Sequence, residues 1–392
     1  GLGAVYSAAF AYIRMVAKPG QLPAAVGLFS AVVSLATLIF TFVGGSLSSV
    51  NWRLAFVILP IVSVLCMLAV PKLLPVQAKL DSGKQDIIGQ VLLALGIIAF
   101  LYGVSELGHS LTSPRTLGPI IIGAVLLAAF FIFESKTPNH LYPVSLFKSP
   151  VFIGAILAGF IYTFGTAVAF LQVTNLWQYV LNLKTLEVSL WQLPLIGAGI
   201  ISALVFGKLM AKGMGNHTAL LIGTLASVGG FVLLALNHDA KDLIGFLPGL
   251  ILGGAGIVIC AIPFGNLFIR EAPAEYFGPV TSSRTTVGQF FFSIGFALST
   301  VVIDKLTVGG TVYRLEKAGV PPNQTGTALD AVTAYAARST APTTSLGHQA
   351  LADATSSYAN SFATAMYIAA GLMLIAGLIG YLLLARNTRK AN

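Results

Sequence analysis

The chain has 392 residues, of which 56% are hydrophobic and 9% charged, with a formal net charge of +9 and a mean hydropathy of +0.88. An ordinary soluble domain carries about 25% charged residues, so a soluble enzyme, a disordered chain and a nucleic-acid binder are excluded as readings of the whole. The two cysteines, Cys66 and Cys260, stand inside apolar runs and offer neither a disulfide framework nor metal-ligand spacing.

A bilayer core of roughly 30 Å needs about 20 apolar residues per helix. On that length eleven spans are predicted, at about 1–17, 24–48, 53–71, 87–105, 117–134, 151–180, 186–210, 218–236, 243–269, 281–303 and 361–385. The runs lack the period-two alternation of barrel strands. Backbone polar groups in lipid must be satisfied within the segment, which leaves helices. The expected fold class is an all-α polytopic transmembrane bundle. Residues 72–86 read as a polar linker. Residues 304–360 read as the one long loop, either a small cap or a passive connector, with a short helix over 329–338.

Basic residues set the orientation. Lys18, Lys72, Lys79, Lys84, Lys136, Lys148, Lys208, Lys212, Arg270, Arg386, Arg389 and Lys390 fall on one side, against Arg53, Arg115, Lys184 and Lys241 on the other. The first side is predicted to be cytoplasmic, with the C-terminus inside. The chain opens on Gly1 within an apolar run, without a charged leader or cleavage signal, and the expectation is truncation at the N-terminus.

Ionisable groups inside a span are functional by default. Asp86, Glu106, Glu134 and Asp304 all fall at predicted span ends, within reach of water. Arg14 and Arg284 stand near the cytoplasmic ends of their spans, where their side chains can snorkel. No His, Cys or Ser grouping at one depth supports an intramembrane enzyme or a metal site.

Uncharged polarity does fall on single helix faces. Ser30, Ser34, Thr37 and Thr41 share a face at 100° per residue, extended by Gly27, Gly44 and Gly45. This stripe suits either close helix packing or a wall of a wet cavity. Gln172, Asn175 and Tyr179, with Gln178 nearby, form a second stripe. A third holds Ser282, Thr286, Gln289, Ser293 and Thr300. Amides cannot face lipid cheaply, so Gln172, Asn175 and Gln289 are assigned to a cavity, the alternative being interhelical hydrogen bonds. Gly245, Gly249, Gly253 and Gly256, with Pro248 and Pro263, mark a helix built for tight contact and bending. Phe160, Tyr162, Phe164, Phe170 and Trp177 crowd the span at 151–180. An aromatic and amide pocket without fixed charge would suit large neutral or cationic compounds.

Several motifs carry a resemblance. The chain starts Gly1-Leu2-Gly3-Ala4, and GLFSAVVSLATLIFTFVGGSLSSVNWRLAFVI runs from Gly27. Asp86-Ile87-Ile88-Gly89 opens a helix pair. Gln178-Tyr179 precedes Pro194, and a basic, glycine-rich loop runs from Gly207 to Gly215. Together these resemble the 14-span drug:proton antiporters of the major facilitator superfamily. The resemblance implies that the visible spans are the fourth to the fourteenth. Residues 1–71 would then be the remainder of an N-terminal bundle, 72–150 a linker with an inserted helix pair, and 151–392 a C-terminal bundle. It implies a monomer in the cell membrane that exports small amphipathic compounds by alternating access, with protons and the lipid bilayer as partners, no nucleic acid, no cofactor and no metal. The coupling acid would lie in the absent spans. The family's span-five motif pairs Gly with Pro where this chain has Phe40-Thr41, while its final glycines stand as Gly44-Gly45. That departure keeps open a uniporter or importer on the same fold, and a non-transporting sensor or scaffold.

Overall fold

Apolar runs of 20 residues and more, started by proline or an Asx/Ser cap, dictate helices, and helices are what form. The computed structural model describes residues 9, 12–13, 16–18, 21–73, 86–108, 110, 112–137, 143–239, 242–273, 276–338 and 342–391. Among the described residues twelve α-helices follow one another: α1 Leu22–Val50, α2 Trp52–Leu73, α3 Ile87–Glu106, α4 Pro114–Lys136, α5 Pro150–Tyr179, α6 Thr185–Trp191, α7 Leu193–Ala211, α8 Asn216–Leu236, α9 Leu247–Arg270, α10 Phe277–Lys317, α11 Pro322–Arg338 and α12 Ser345–Ala391. Among the described residues ten helical segments are long and apolar enough to cross a membrane, α6 and α7 together making one of them. Most of the predicted span at 1–17, Arg14 included, and most of the predicted linker at 72–86 lie outside the described residues.

Local chemistry sets the boundaries. Asn51 separates α1 from α2, and its side chain accepts from Arg53 N at 3.0 Å, as an N-cap does. Asp86 caps α3 through Gly89 N at 2.9 Å. Ser113 caps α4 through Thr116 N at 3.3 Å, with Pro114 in the first turn. Gln192 marks the break between α6 and α7. Its amide donates to Thr174 Oγ1 at 2.6 Å and Phe170 O at 3.2 Å, tying the break back to α5.

Glycine decides which helices touch. Gly89, Gly96 and Gly103 recur every seven residues on one face of α3, which packs against α4. A Cβ on Gly96 would lie 3.0 Å from Leu127, and one on Gly103 would lie 2.7 Å from Ile120 N. The Glu134 carboxyl reaches back to this seam beside Asp86, over Gly89. Glu134 is therefore buried at 2% exposure rather than at the water boundary expected for it. The α3 N-terminus, with its partial positive charge, is where a buried carboxyl is best tolerated. On α9, Gly249 and Gly253 meet Gly230 of α8 backbone to backbone, and Gly256 meets Ser227 and Gly223. Pro263 is buried inside α9, which continues through it to Arg270. α5, α8, α9, α10 and α12 enclose the main core, with Trp177, Phe152, Phe231, Phe264 and Phe362 fully buried.

α1 packs along α7. A Cβ on Gly27 would lie 2.7 Å from both Ala203 O and Gly207 Cα, and one on Gly45 would strike Ser189, whereas one on Gly44 meets nothing within 4 Å. Gly27→Ala is therefore expected to lower the thermal midpoint of the purified protein, by about 1–3 kcal/mol of overpacking. Gly44→Ala should match wild type or gain slightly, since alanine favours a helix. Equal midpoints for the two variants would refute this assignment of the contacts.

The region expected to be a loop at 304–360 is mostly helix. α10 does not stop near residue 303 but runs to Lys317. Its stop is a Schellman cap: Gly319 has φ +81, Gly319 N donates to Glu316 O at 2.9 Å, and Val320 N donates to Leu315 O at 3.0 Å. The signal is present in the sequence as Gly319-Val320-Pro321-Pro322, where a glycine stop meets a proline start. α11 and the early turns of α12 then fold onto the α10 end around Leu315, Ala328 and Ala350.

Candidate functional site

The α1 stripe forms one wall of a cavity. Ser30, Val33, Ser34 and Thr37 face Tyr162, Thr166 and Phe170 of α5, Leu195 and Ile196 of α7, and Gly254, Ile257, Val258 and Ala261 of α9, around about 80 Å³. Thr41, one turn further on, is outside this lining. Gly254 allows the close approach of α7, since a Cβ there would lie 3.0 Å from Leu195 Cα. Thr37 Oγ1 donates to Val33 O at 2.9 Å, and Thr166 Oγ1 donates to Tyr162 O at 2.5 Å. Both protons are thus used within their own helices. The rest of the lining is apolar apart from the hydroxyls of Ser30, Ser34 and Tyr162.

A second cavity of about 170 Å³ lies between α5, α9 and α10. Tyr162, Thr163, Thr166, Phe264, Arg284, Thr285, Gly288, Gln289 and Phe292 line it. Tyr162 and Thr166 border both cavities. Gln289 is part of this lining. Thr286 and Ser293 are half-buried and belong to neither lining.

Arg284 corrects the sequence reading. Expected to snorkel from a span end, it is instead 4% exposed, with its guanidinium carbon 4.4 Å from the centroid of Phe264. The reason is that α10 begins at Phe277, which places Arg284 about two turns, or roughly 10 Å, inside the helix. Neither Arg284 nor Thr166 was selected from sequence as a cavity residue. The usable signal was the spacing of Tyr162 and Thr166, four apart on one face of α5.

Gln172 corrects a second expectation. It is 1% exposed, and its Nε2 donates to Ser299 Oγ at 2.8 Å and Thr300 Oγ1 at 3.3 Å. Its amide pins α5 to α10 and lines neither cavity. Asn175 stands beside Tyr358 of α12, and the Tyr179 ring meets Tyr358 edge-on at 5.7 Å. Gln178 is half-buried and Tyr179 exposed. This stripe therefore joins α5 to α10 and α12. Gln172→Ala is expected to lower stability by about 0.6 kcal/mol, the average for interhelical hydrogen bonds in membranes, and by no more than about 1.7 kcal/mol, the largest such value. Thermal unfolding in detergent checks it, and an unchanged midpoint would show that the bond contributes nothing.

Residues 1–296 match the family model for the Major Facilitator Superfamily. The chain belongs to that superfamily. Its members are transporters, not enzymes, and handle small molecules in the lipid bilayer. Among major facilitator relatives, the chain is 29% identical over 275 residues to the multidrug transporter protein MdtP of Bacillus subtilis, covering 69% of this chain and 49% of that protein. It is 22% identical over 360 residues to the multidrug efflux pump LfrA of Mycolicibacterium smegmatis, covering 91% and 70%. It is 26% identical over 302 residues to a tetracenomycin C resistance and export protein of Streptomyces glaucescens, covering 75% and 55%. The chain thus spans about half the length of the first of these relatives.

Proposed function

We propose that the chain forms most of a secondary transporter that exports small amphipathic compounds by proton-coupled alternating access. The observation that carries this is the cavity where α1 meets α5, α7 and α9, with a hydroxyl stripe on one wall and aromatic side chains on the other. Three relatives named for multidrug transport, efflux and drug export support it. In this reading 1–71 belongs to one bundle, 72–150 carries the inserted pair, and 151–392 is the second bundle. The protein sits as a monomer in the cell membrane with its C-terminus in the cytoplasm.

Neither cavity reaches the ~300 Å³ lower bound of sites that hold drug-sized ligands. Substrate entry in this reading requires α1 to part from α7 and α9. The smooth seam at Gly27 and Gly207 and the proline in α9 are the places where rocking would occur.

The test is efflux of three fluorescent dyes, one anionic, one neutral and one cationic, from vesicles carrying the full-length protein. A pH gradient is imposed and then collapsed. Export that needs the gradient is the expected result. No movement of any dye would end the transport reading and favour a sensor or scaffold. One observation favours a uniporter or importer instead: α1 runs from Leu22 to Val50 with no proline after Pro23, so the kink of the antiporter motif is missing. Movement unaffected by collapsing the gradient would establish that alternative.

A further inference from the structure

We infer that a cleft between the far end of α10 and the early turns of α12 binds a phosphate ester that carries hydroxyl groups, phosphoglycerol being the simplest. The cleft lies roughly 40 Å along α10 from Arg284 and shares no residue with either membrane cavity. The inference therefore does not rest on transport.

Gly310, Arg314 and Lys317 of α10 face Asp353, Ser357 and Asn360 of α12 across about 730 Å³. That volume falls within the ~300–1,000 Å³ of small-molecule sites. The cleft stands where α12 passes from its polar first turns into its apolar run at Phe362, so it is open to water and adjoins the lipid boundary.

Its donors are unspent. Arg314, Lys317 and Asp353 make no ion pair or side-chain hydrogen bond among the described residues. Nor do the two cations serve to close the helix end. Ala318 N donates to Arg314 O at 3.0 Å, and the amides of Gly319 and Val320 take the carbonyls of Glu316 and Leu315. Ser357, on the cleft floor, is 3% exposed, and its hydroxyl has no partner. A buried hydroxyl left unsatisfied costs free energy, which a ligand oxygen would recover. Asn360 meets His238 Nε2 at 3.2 Å, but an amide has two N–H groups and one imidazole nitrogen takes at most one of them. Guanidinium, ammonium, hydroxyl and amide thus converge as donors for the oxygens of a phosphate. Ser361 and Thr364 differ. They donate to Ser357 O at 2.7 Å and Asn360 O at 3.0 Å, which leaves them as acceptors, suited to the hydroxyls of the same ligand.

Asp353 is the one acid of the lining. The two helices run antiparallel, since Leu315 clusters with Ala350 and Gly310 abuts Ser357. Asp353 therefore starts level with Arg314. Cα–Cβ bonds lean toward the N-terminus of their own helix, so Arg314 leans toward Ser357 and Asp353 away from it. The phosphate belongs on the Ser357 side of Arg314, with Asp353 as a repulsive neighbour beyond.

Full-length protein in phosphatidylcholine nanodiscs is titrated calorimetrically with glycerol 3-phosphate, with glycerol as the uncharged control and empty nanodiscs subtracted. Saturable binding of the ester, and none of glycerol, is expected. Arg314→Gln combined with Lys317→Gln should weaken it at least about tenfold. Asp353→Asn removes the repulsion and should tighten it about threefold or more. Ser357→Ala should weaken it about threefold or more without lowering the thermal midpoint, because the hydroxyl it removes bonds nothing in the fold. The titrations are repeated with phosphatidylglycerol or, at equal mole fraction and charge, phosphatidylserine in the nanodiscs. Loss of free-ester binding with phosphatidylglycerol alone would identify the lipid headgroup as the occupant. An equal effect of the two lipids would assign the site to a soluble ester, and both results keep the phosphoglycerol chemistry. Absence of saturable binding by wild type, wild-type affinity in the double variant, or weaker binding by Asp353→Asn would each overturn the proposal.

Discussion

Replacing Gly230 with valine is expected to remove most of the folded protein from the membrane fraction. A Cβ at this position runs into the backbone N and Cα of Gly253 and lies 2.9 Å from Gly249 O. Backbone cannot swing aside as a long side chain can, so α8 and α9 must separate along their whole seam. Both helices feed the main core through Phe231, Leu234, Ile257 and Phe264. The penalty should reach or exceed the ~3 kcal/mol upper range of ordinary overpacking. Expression and a size-exclusion profile in detergent read the outcome. Gly371→Ala is the control, because a Cβ there meets nothing within 4 Å, and it should stay within about 0.5 kcal/mol of wild type. A Gly230→Val protein with a wild-type profile would refute the backbone contact.

Ser34→Trp is expected to stop dye export while leaving the protein folded. Ser34 faces Tyr162, Thr166 and Ile257 across a gap of about 80 Å³. An indole occupies that space and leaves no room for a ligand. The larger side chain is accommodated because α1 is held loosely, with only Val26, Gly27, Ala31 and Gly45 buried among its 29 residues. At least a tenfold fall in efflux rate is expected, with an unchanged elution profile, and Ser34→Ala should remain near wild type. Efflux from Ser34→Trp at more than half the normal rate would take the α1 wall out of the pathway.

The spans were legible because lipid imposes a length, and a run of apolar residues states it directly. α3, α5 and α8 fall within two or so residues of their predicted limits. The hydroxyl stripe of α1 was legible too, because four-residue spacing fixes a face whatever the fold. Legibility failed where hydropathy and helicity part company. α10 leaves its apolar stretch well before it stops being helical, and the stop is written in Gly319 and the prolines after it. Partners were hidden for a different reason. Gln172 and Ser299 are 127 residues apart, and no local pattern says whether an amide meets water or a hydroxyl on another helix. Gly44 and Gly45 are adjacent, yet one meets open space and the other Ser189, a difference that only the neighbouring helix creates. Arg284 was misjudged because its depth depends on where α10 starts, and the apolar run begins after the helix does.

The length of α10 has a mechanical result. Its 41 residues extend about 60 Å at 1.5 Å per residue, whereas a bilayer with its headgroup layers is about 40–45 Å thick. Arg284 sits near one end and the Schellman cap near the other, roughly 50 Å away along the axis. The helix is a lever with its short arm in the cavity. A tilt of about 10° about Arg284 would carry the Gly319 tip by roughly 9 Å, and α11, folded onto that tip through Leu315 and Ala328, would travel with it. A dye on α11 would then act as a pointer, magnifying at the aqueous surface a rearrangement of an ångström or two beside the buried guanidinium.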